Sequence, residues 1–480
     1  MKWFCLFSLM ALSTMCVAQP DTLWSRTYGG SGDEYAAGIV ALSNGTFAVS
    51  ATTNSFGVVG MDFYVVCVNG GGDTLWTRTF GRGTGDDWCT GMAKTNNDEI
   101  IASGYGLRSG GTEQAMREVR YDLSGTLIEW VEDYSPGADM IGYGICMNAL
   151  GHSVCAGYWT DTPEQGRVTV LERDSQHTGF SLYAQCGYFS DARSIQPTRD
   201  GGYILAGSTR ATANAHSDYL LMRLNSLGDT VWTRTFGGSA TEDIANSVVQ
   251  TSDGGFAFTG PSESYGPGGD VVLIKTDTLG RQQWLHTYGG SDEEHGHVVL
   301  ATHDGGFFLA GHTNSFGVGG DVYVVKTDGD GNLLWSRSWG GAGLDVAESA
   351  VELPDGGFLV AGETTSFGAG DANIWLLRIA SDLASDQPSV ASPGEFFLAQ
   401  NYPNPFNAVT DIRFELPHAG RATLSVYDVL GRETATLLDG QLPGGPHTVH
   451  LDASGWPSGV YFCRLSAGQS TGVRKLMLLK

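Results

Sequence analysis

Two histidines two residues apart, His295 and His297, follow the acidic pair Glu293-Glu294. On a β-strand such residues share one face, and neutral imidazoles at that spacing bind Zn2+ or Cu2+. Alignment of the internal repeats brings Glu348 into register with His297, so His295, His297 and Glu348 are candidate metal ligands. The plainer reading is a patch of polar surface residues.

A second set of candidates recurs along the chain. Glu34, Asp87, Asp139, Asp191, Asp243, Glu294 and Asp345 each stand 9 to 11 residues after an aromatic anchor. They fall where one repeat passes to the next, so they are expected to form an acidic ring that takes Ca2+, another divalent cation or a ligand. The competing role is structural: a carboxylate in a Gly-rich turn accepts backbone N–H bonds. Recurrence in all seven repeats favours that role, because binding sites usually break symmetry.

Other patterns exclude chemistry. Asp328-Gly329-Asp330-Gly331-Asn332 has the letters of a Ca2+ loop, but Leu333 stands where the loop needs Gly and Trp339 where it needs a bidentate Glu. Gly468-Gln469-Ser470-Thr471-Gly472 matches GxSxG without a following helix. No HExxH or phosphate-loop pattern is present. The sequence offers no catalytic residues and predicts no cofactor beyond a divalent cation.

The elements that position these residues come from a repeat. The anchor aromatics are Trp24, Trp76, Trp130, Phe180, Trp232, Trp284 and Trp335, at spacings of 50 to 54 residues. Each period reads as four short strands joined by Asp-Gly, Asn-Gly or Gly-Gly turns, such as Asp200-Gly201 and Asp304-Gly305. The last period lacks its fourth strand, and Thr22–Tyr28 has no unit before it. The N-terminal strand should therefore pair with 373–379. The expected fold is all-β: a seven-bladed β-propeller over 21–380, closed by the N-terminal strand, with the anchors packed between blades.

The phrase Asp-Gly-Gly-Phe…Ala-Gly…Ser-Phe-Gly…Asp-Val-Tyr-Val-Val-Lys-Thr-Asp…Trp, nearly complete from Asp304 to Trp335, resembles bacterial propeller repeats. Such propellers carry many functions. The second and third repeats depart from the phrase, with Arg117, Glu118 and Arg120 in one. Phe56, Phe316 and Phe367, in the Ser-Phe-Gly phrases, are packing residues or carbohydrate platforms.

Beyond a Ser-, Asp- and Pro-containing linker at 381–394, residues 395–480 alternate as a β-sandwich. Asn404, Pro405, Phe406 and Asn407 open this stretch. Tyr427, Asp428, Gly431 and Arg432 stand at a central hairpin, Gly459 and Tyr461 in the next-to-last strand, and Lys475 in the last. Together they resemble type IX secretion sorting domains of the Ig-like, type A class. The resemblance implies export across the outer membrane of a Gram-negative bacterium, with the type IX machinery as partner and removal of the domain afterwards.

The chain begins with Lys2, the apolar run Trp3 to Met10 and Cys16-Val17-Ala18, the layout of a cleavable signal peptide at 1–18. No later segment has the length of a transmembrane helix. The formal charge is −25. Residues 395–480 carry seven acidic and seven basic groups, and Lys2 is the one charge before residue 21, so −26 falls on 21–394. That surface repels phosphate backbones, which excludes nucleic acid as a partner. Of six cysteines after the signal, Cys146 and Cys155 lie symmetrically about Leu150-Gly151. They are either bonded across a hairpin or buried as free thiols.

The sequence thus predicts an exported or surface binding module for an extracellular glycan or protein. The rival is a glycan lyase or glycosidase using axial carboxylates. An enzyme should carry a carboxylate pair or a His-Tyr-Arg group in only one or two repeats.

Overall fold

The computed structural model describes residues 22–56, 60–82, 85–108, 111–160, 162, 165–174, 179–213, 215–238, 242–265, 268–381, 397–398, 408–416, 418–428, 431–468 and 470–478. The signal peptide at 1–18, most of the linker and the positions of Asn404, Pro405, Phe406 and Asn407 lie outside these residues. The chain divides into two compact units between residues 383 and 384. Among the described residues there is no helix, and the structure is all-β.

Among the described residues the first unit holds seven four-stranded antiparallel sheets. The first sheet is Glu34–Ala41, Phe47–Thr53, Asp62–Val68 and Thr74–Phe80, and the pattern repeats along the chain. The sixth is Glu294–Ala301, Phe307–Thr313, Asp321–Thr327 and Leu333–Trp339. The seventh takes Asp345–Glu352, Phe358–Thr364 and Asn373–Ile379, and its fourth strand is the N-terminal Thr22–Tyr28. Tyr28 pairs with Ile374, Arg26 with Leu376 and Thr22 with Ile379, so the pairing expected from the repeats is present.

Burial explains the strand types. Second and third strands such as Phe47–Thr53 and Asn373–Ile379 are buried along their whole length, which is why they read as apolar runs rather than alternations. Fourth strands such as Thr74–Phe80 are largely exposed. First strands neighbour one another in sequence, and the first strand of the seventh sheet lies beside that of the first, so the sheets run in a cycle. Between them the apolar faces interlock. Phe308 of the sixth sheet stacks on Phe358 of the seventh with ring centroids 3.9 Å apart, both fully buried, and truncating either to Ala costs about 3–5 kcal/mol.

The anchor aromatics lie on the fourth strands, except Phe180, which immediately precedes Ser181–Ala184, and are mostly half-buried rather than in the core; Trp130 is 37% exposed, while Trp335 is buried. Trp24, Trp76, Phe180, Trp232 and Trp284 cover the turn glycine of the following sheet, respectively Gly72, Gly125, Gly228, Gly280 and Gly331, all at positive φ. A flat ring over a glycine turn needs no side chain beneath it, which fixes both residue types at once.

The hairpin register corrects the disulfide geometry. Cys146 pairs with Val154, and Cys155 with Ile145, so the two cysteines sit on neighbouring rungs and not opposite each other. All six described cysteines are free thiols. Burial pushes the Cys89 and Cys463 thiols up to about 12.

Among the described residues the second unit has two sheets around one core. Phe397–Leu398, Val409–Leu416 and Gly445–Asp452 form one; Glu433–Leu442, Gly420–Asp428, Gly459–Ala467 and Ser470–Leu478 form the other. Ile412, Phe414 and Leu451 from the first meet Leu424, Val426, Cys463 and Leu476 from the second. The exposed strand Glu433–Leu442 is too polar to be read from its own pattern.

Candidate functional site

The first strands carry a repeated irregularity that decides which side chains turn toward the neighbouring first strands. In six of the seven sheets the register against the second strand skips one residue. The skipped residues are Ala37, Thr90, Tyr143, Arg193, His297 and Glu348, and Asn246 is the counterpart in the fifth sheet. A β-bulge leaves its extra residue free of the ladder and re-aims it. Several reach the neighbouring first strand: Thr90 Oγ1 donates to the Gly142 carbonyl at 2.7 Å, Asn246 Nδ2 to that of Gly296 at 3.1 Å, and His297 Nδ1 stands 3.0 Å from Glu348 Oε2.

The seven acidic candidates are not equivalent positions. Glu34, Asp87, Asp243, Glu294 and Asp345 each lie three residues before the bulge and are buried. Their carboxylates accept the backbone N–H of the preceding Gly-rich loop, Gly30 for Glu34 at 3.0 Å and Gly290 for Glu294 at 2.7 Å. Hydroxyls of the second strand complete the set: Thr53 donates to Glu34 at 2.8 Å, and Thr313 to Glu294 at 2.7 Å. Asp87 is held in addition by the fully buried guanidinium of Arg117, one of the departures in the second repeat. This is the hydrogen bonding of loop caps. In the third sheet Asp139 falls one residue early and accepts the Gln114 N–H at 2.7 Å, while Met140 takes the equivalent rung. In the fourth, Asp191 falls one residue late and turns to Ser208, whose N–H and hydroxyl donate at 2.7 and 2.8 Å.

The histidine candidates come together and are joined by a third. His312, on Phe307–Thr313, is the rung partner of His295. The ring centroids of His295 and His312 are 4.6 Å apart, those of His297 and His312 5.4 Å, and those of His295 and His297 6.5 Å. One ligand nitrogen from each lies within 4.8 Å of the other two. Glu348 touches His297 only through its Nδ1 and so stands behind the imidazole group. Burial and the neighbouring imidazoles His297 and His295 hold His312 neutral, down to about 3. Burial also lowers His295. For His297 burial works downward, but the Glu348 carboxylate outweighs it and the net shift is upward. His312 was missed in the sequence, although no other repeat has His at its position: Thr52, Tyr105, Tyr158, Ser208, Pro261 and Glu363 occupy it elsewhere.

The remaining positions on this face differ by sheet. Tyr35, Trp88, Tyr105, Tyr143 and Tyr158 supply aromatic rings from the first three sheets, with Tyr35 and Trp88 6.0 Å apart and Tyr143 and Tyr158 6.0 Å apart. Arg193, Asn246, the histidines, Glu348 and Glu363 come from the other four. Burial and the Glu348 charge raise the Glu363 carboxyl to about 7.

The Ser-Phe-Gly phenylalanines are half-exposed and rest on the third strand of their own sheet: Phe56 on Tyr64 at 4.8 Å, Phe316 on Tyr323 at 5.4 Å and Phe367 on Trp375 at 5.6 Å between centroids. Asp328–Asn332 is a closed turn in which Asp328 Oδ1 accepts the N–H groups of Asp330 and Asn332 at 3.0 and 2.8 Å. In the second unit Gly431 has φ 75° in the turn of the central hairpin. Asp428 caps that turn, accepting from Arg432 N and Nε at 3.0 and 2.6 Å. Tyr427 precedes it on Gly420–Asp428, Gly459 and Tyr461 lie on Gly459–Ala467, and Lys475 on Ser470–Leu478.

Several solved structures are similar to the chain. A fungal alcohol oxidase of the AA5 family, in complex with copper, is 13% identical, covers 96% of this chain and 100% of its own, and gives a TM-score of 0.48. An α-L-arabinanase from Penicillium chrysogenum is 9% identical over 76% and 99%, with a TM-score of 0.44. An α-L-arabinofuranosidase from Fusarium graminearum is 10% identical over 74% and 98%, with a TM-score of 0.41. At these values none bears on what this chain does. No curated protein matches it. No helix among the described residues is long and apolar enough to cross a membrane. Residues 400–479 match the family of secretion system C-terminal sorting domains, which marks the chain as type IX cargo of a Gram-negative bacterium, handled by that machinery and destined for the cell surface or the extracellular space.

Proposed function

We propose that residues 21–380 form a seven-bladed β-propeller, closed by the N-terminal strand, that binds an extracellular glycan or protein at the central face of its first strands. A signal peptide at 1–18 and an Ig-like sorting domain at 395–480, joined by a linker at 381–394, would serve its export. The observation that carries the binding reading is the asymmetry of the central face. Aromatic rings come from three successive sheets and the charged side chains from the others, with Arg193 lying over the Tyr143 ring where the two groups meet. Aromatic surface beside a few polar groups is the usual make-up of a ligand site, and it suits a sugar, which has an apolar face and a polar rim. The Glu34 and Glu294 carboxylates accept hydrogen bonds from their own loops, in keeping with the capping role favoured for the repeated acids, which supports this asymmetric face as the better candidate.

A second reading has its own support. Glu348 and Glu363 are two carboxylates of one sheet on the same face, beside His297. Paired carboxyls in different protonation states are what glycoside hydrolysis requires. Screening the mature protein on glycan and protein arrays, with parallel assays for released reducing sugar, separates the two. Saturable binding without turnover supports the module; turnover abolished in Glu363→Gln supports the enzyme; neither binding nor turnover ends both.

A further inference from the structure

We propose that His295, His297 and His312 form a binding site for one divalent transition ion of the Zn2+ or Cu2+ class, with Glu348 as the residue that positions His297. The proposal goes beyond the ligand reading and does not depend on it.

Three features of the backbone build the site. His295 and His312 are rung partners on adjacent strands, so their side chains leave the sheet on the same side. His297 is the bulged residue of its strand, unpaired in the ladder and free to turn toward the same space. The sixth sheet alone carries imidazoles at these places: the first has Tyr35, Ala37 and Thr52, and the seventh Val346, Glu348 and Glu363.

The ligand nitrogens lie within 4.8 Å of one another. Nitrogens around a tetrahedral ion with bonds of about 2.0–2.1 Å stand about 3.4 Å apart, so closure asks for roughly an ångström of side-chain rotation. All three side chains are partly exposed, which gives an ion access and the rings room to move. Nδ1 of His312 is buried and has no hydrogen-bond partner. A buried nitrogen without a partner is costly, and an ion is one thing that satisfies it. Glu348 Oε2 lies 3.0 Å from His297 Nδ1. A carboxylate there fixes the proton on Nδ1 and leaves Nε2 with its lone pair toward the ion, the usual arrangement behind a metal-bound histidine. Imidazole donors select Zn2+, Cu2+ or Ni2+ over Ca2+ and Mg2+. Three protein ligands leave a fourth position for water or a ligand atom.

The test is calorimetric titration of the tag-free mature protein, stripped with chelator, with Zn2+ and separately with Ca2+. One Zn2+ per chain is expected, with no Ca2+ heat and a Zn2+-dependent rise in thermal midpoint. His295→Gln and His312→Gln should each weaken binding at least tenfold while keeping the apo melting profile of the wild type. Glu348→Leu should weaken it about 10- to 100-fold, and Glu348→Gln, whose amide oxygen still accepts from Nδ1, should recover part of the loss. The Co2+ derivative of the wild type should show visible absorption of a tetrahedral nitrogen site, shifted in Glu348→Leu. Absence of stoichiometric Zn2+ binding, or equal affinity in folded His312→Gln, overturns the site. Equal affinity in Glu348→Leu and wild type overturns the role of Glu348.

Discussion

Lys326 Nζ, 1% exposed, lies 2.7 Å from the carboxylate of Asp304 in the turn between the first and second strands of its sheet. The same pairing of a buried third-strand cation with the hairpin aspartate recurs as Arg223 with Asp200, Lys275 with Asp253 and Arg378 with Asp355. The Asp-Gly turns are therefore more than turn formers: their first residue neutralises a cation inside the sheet.

Removing one partner of a buried pair strands the other charge. Asp304→Ala should lower the stability of the first unit by about 3 kcal/mol, and Asp304→Ala with Lys326→Met should recover most of it. Urea unfolding followed by tryptophan fluorescence measures both; an additive double variant would contradict the pairing.

A different acid pair acts in the opposite sense. Burial and the neighbouring Asp345 raise the Asp321 carboxyl above its ordinary 3.8. A carboxyl raised in the folded state is destabilising once ionised, and the loss sets in as pH rises through 3.8 toward the folded value. The seventh sheet has Asn373 at the corresponding position, with its oxygen accepting from Ala369 and Gly370. Asp321→Asn should therefore raise the thermal midpoint at pH 7, and the gain should vanish below about pH 3.5. A gain that is the same at both pH values would mean that charge is not its source.

Gly280 has φ 72°, and a Cβ there would lie 2.7 Å from Trp232; Gly305 has φ 86° with open space around it. Both Gly→Ala changes pay backbone strain of about 1 kcal/mol, but only Gly280→Ala must also displace the ring. Gly280→Ala should cost about 2–3 kcal/mol and shift Trp232 fluorescence, and Gly305→Ala about 1 kcal/mol without a shift. Equal costs would remove the anchor's role as a cover for the turn.

Deleting residues 22–28 takes away the fourth strand of the seventh sheet and leaves Asn373–Ile379 as an open edge. An unpaired edge of that length invites aggregation. The truncated protein should melt several degrees lower and elute partly as multimers in size-exclusion chromatography; an unchanged monomer would show that the closing strand is dispensable.

The period of the anchors and the Asp-Gly turns made the strand count, the sheet order and the closing strand legible, because those features depend on local turn chemistry and alternation. What stayed hidden depends on register. The bulge that frees His297 adds one residue whose type varies from Ala37 to Glu348, so no residue pattern announces it. Without the bulge, His312 could not be placed opposite His295. For the same reason Asp139 and Asp191 looked equivalent to Glu34, though each is displaced by one residue. Cys146 and Cys155, symmetrical about their turn by count, stand one rung apart through the same single step, and of the two alternatives they are buried free thiols. Lys326 read as part of a repeat phrase, and its ion pair appears only when the strands are assembled.

On our proposal, this exported protein meets its ligand at the asymmetric face formed by the first strands and not at the loop-capping acids. The direct measurement is titration of the array-identified glycan or protein into the mature chain and its Trp88→Ala, Tyr105→Ala and Phe316→Ala variants. Loss of affinity by at least tenfold in Trp88→Ala and Tyr105→Ala, with Phe316→Ala unchanged, is the predicted result. Full affinity in both Trp88→Ala and Tyr105→Ala would place the ligand elsewhere on the protein.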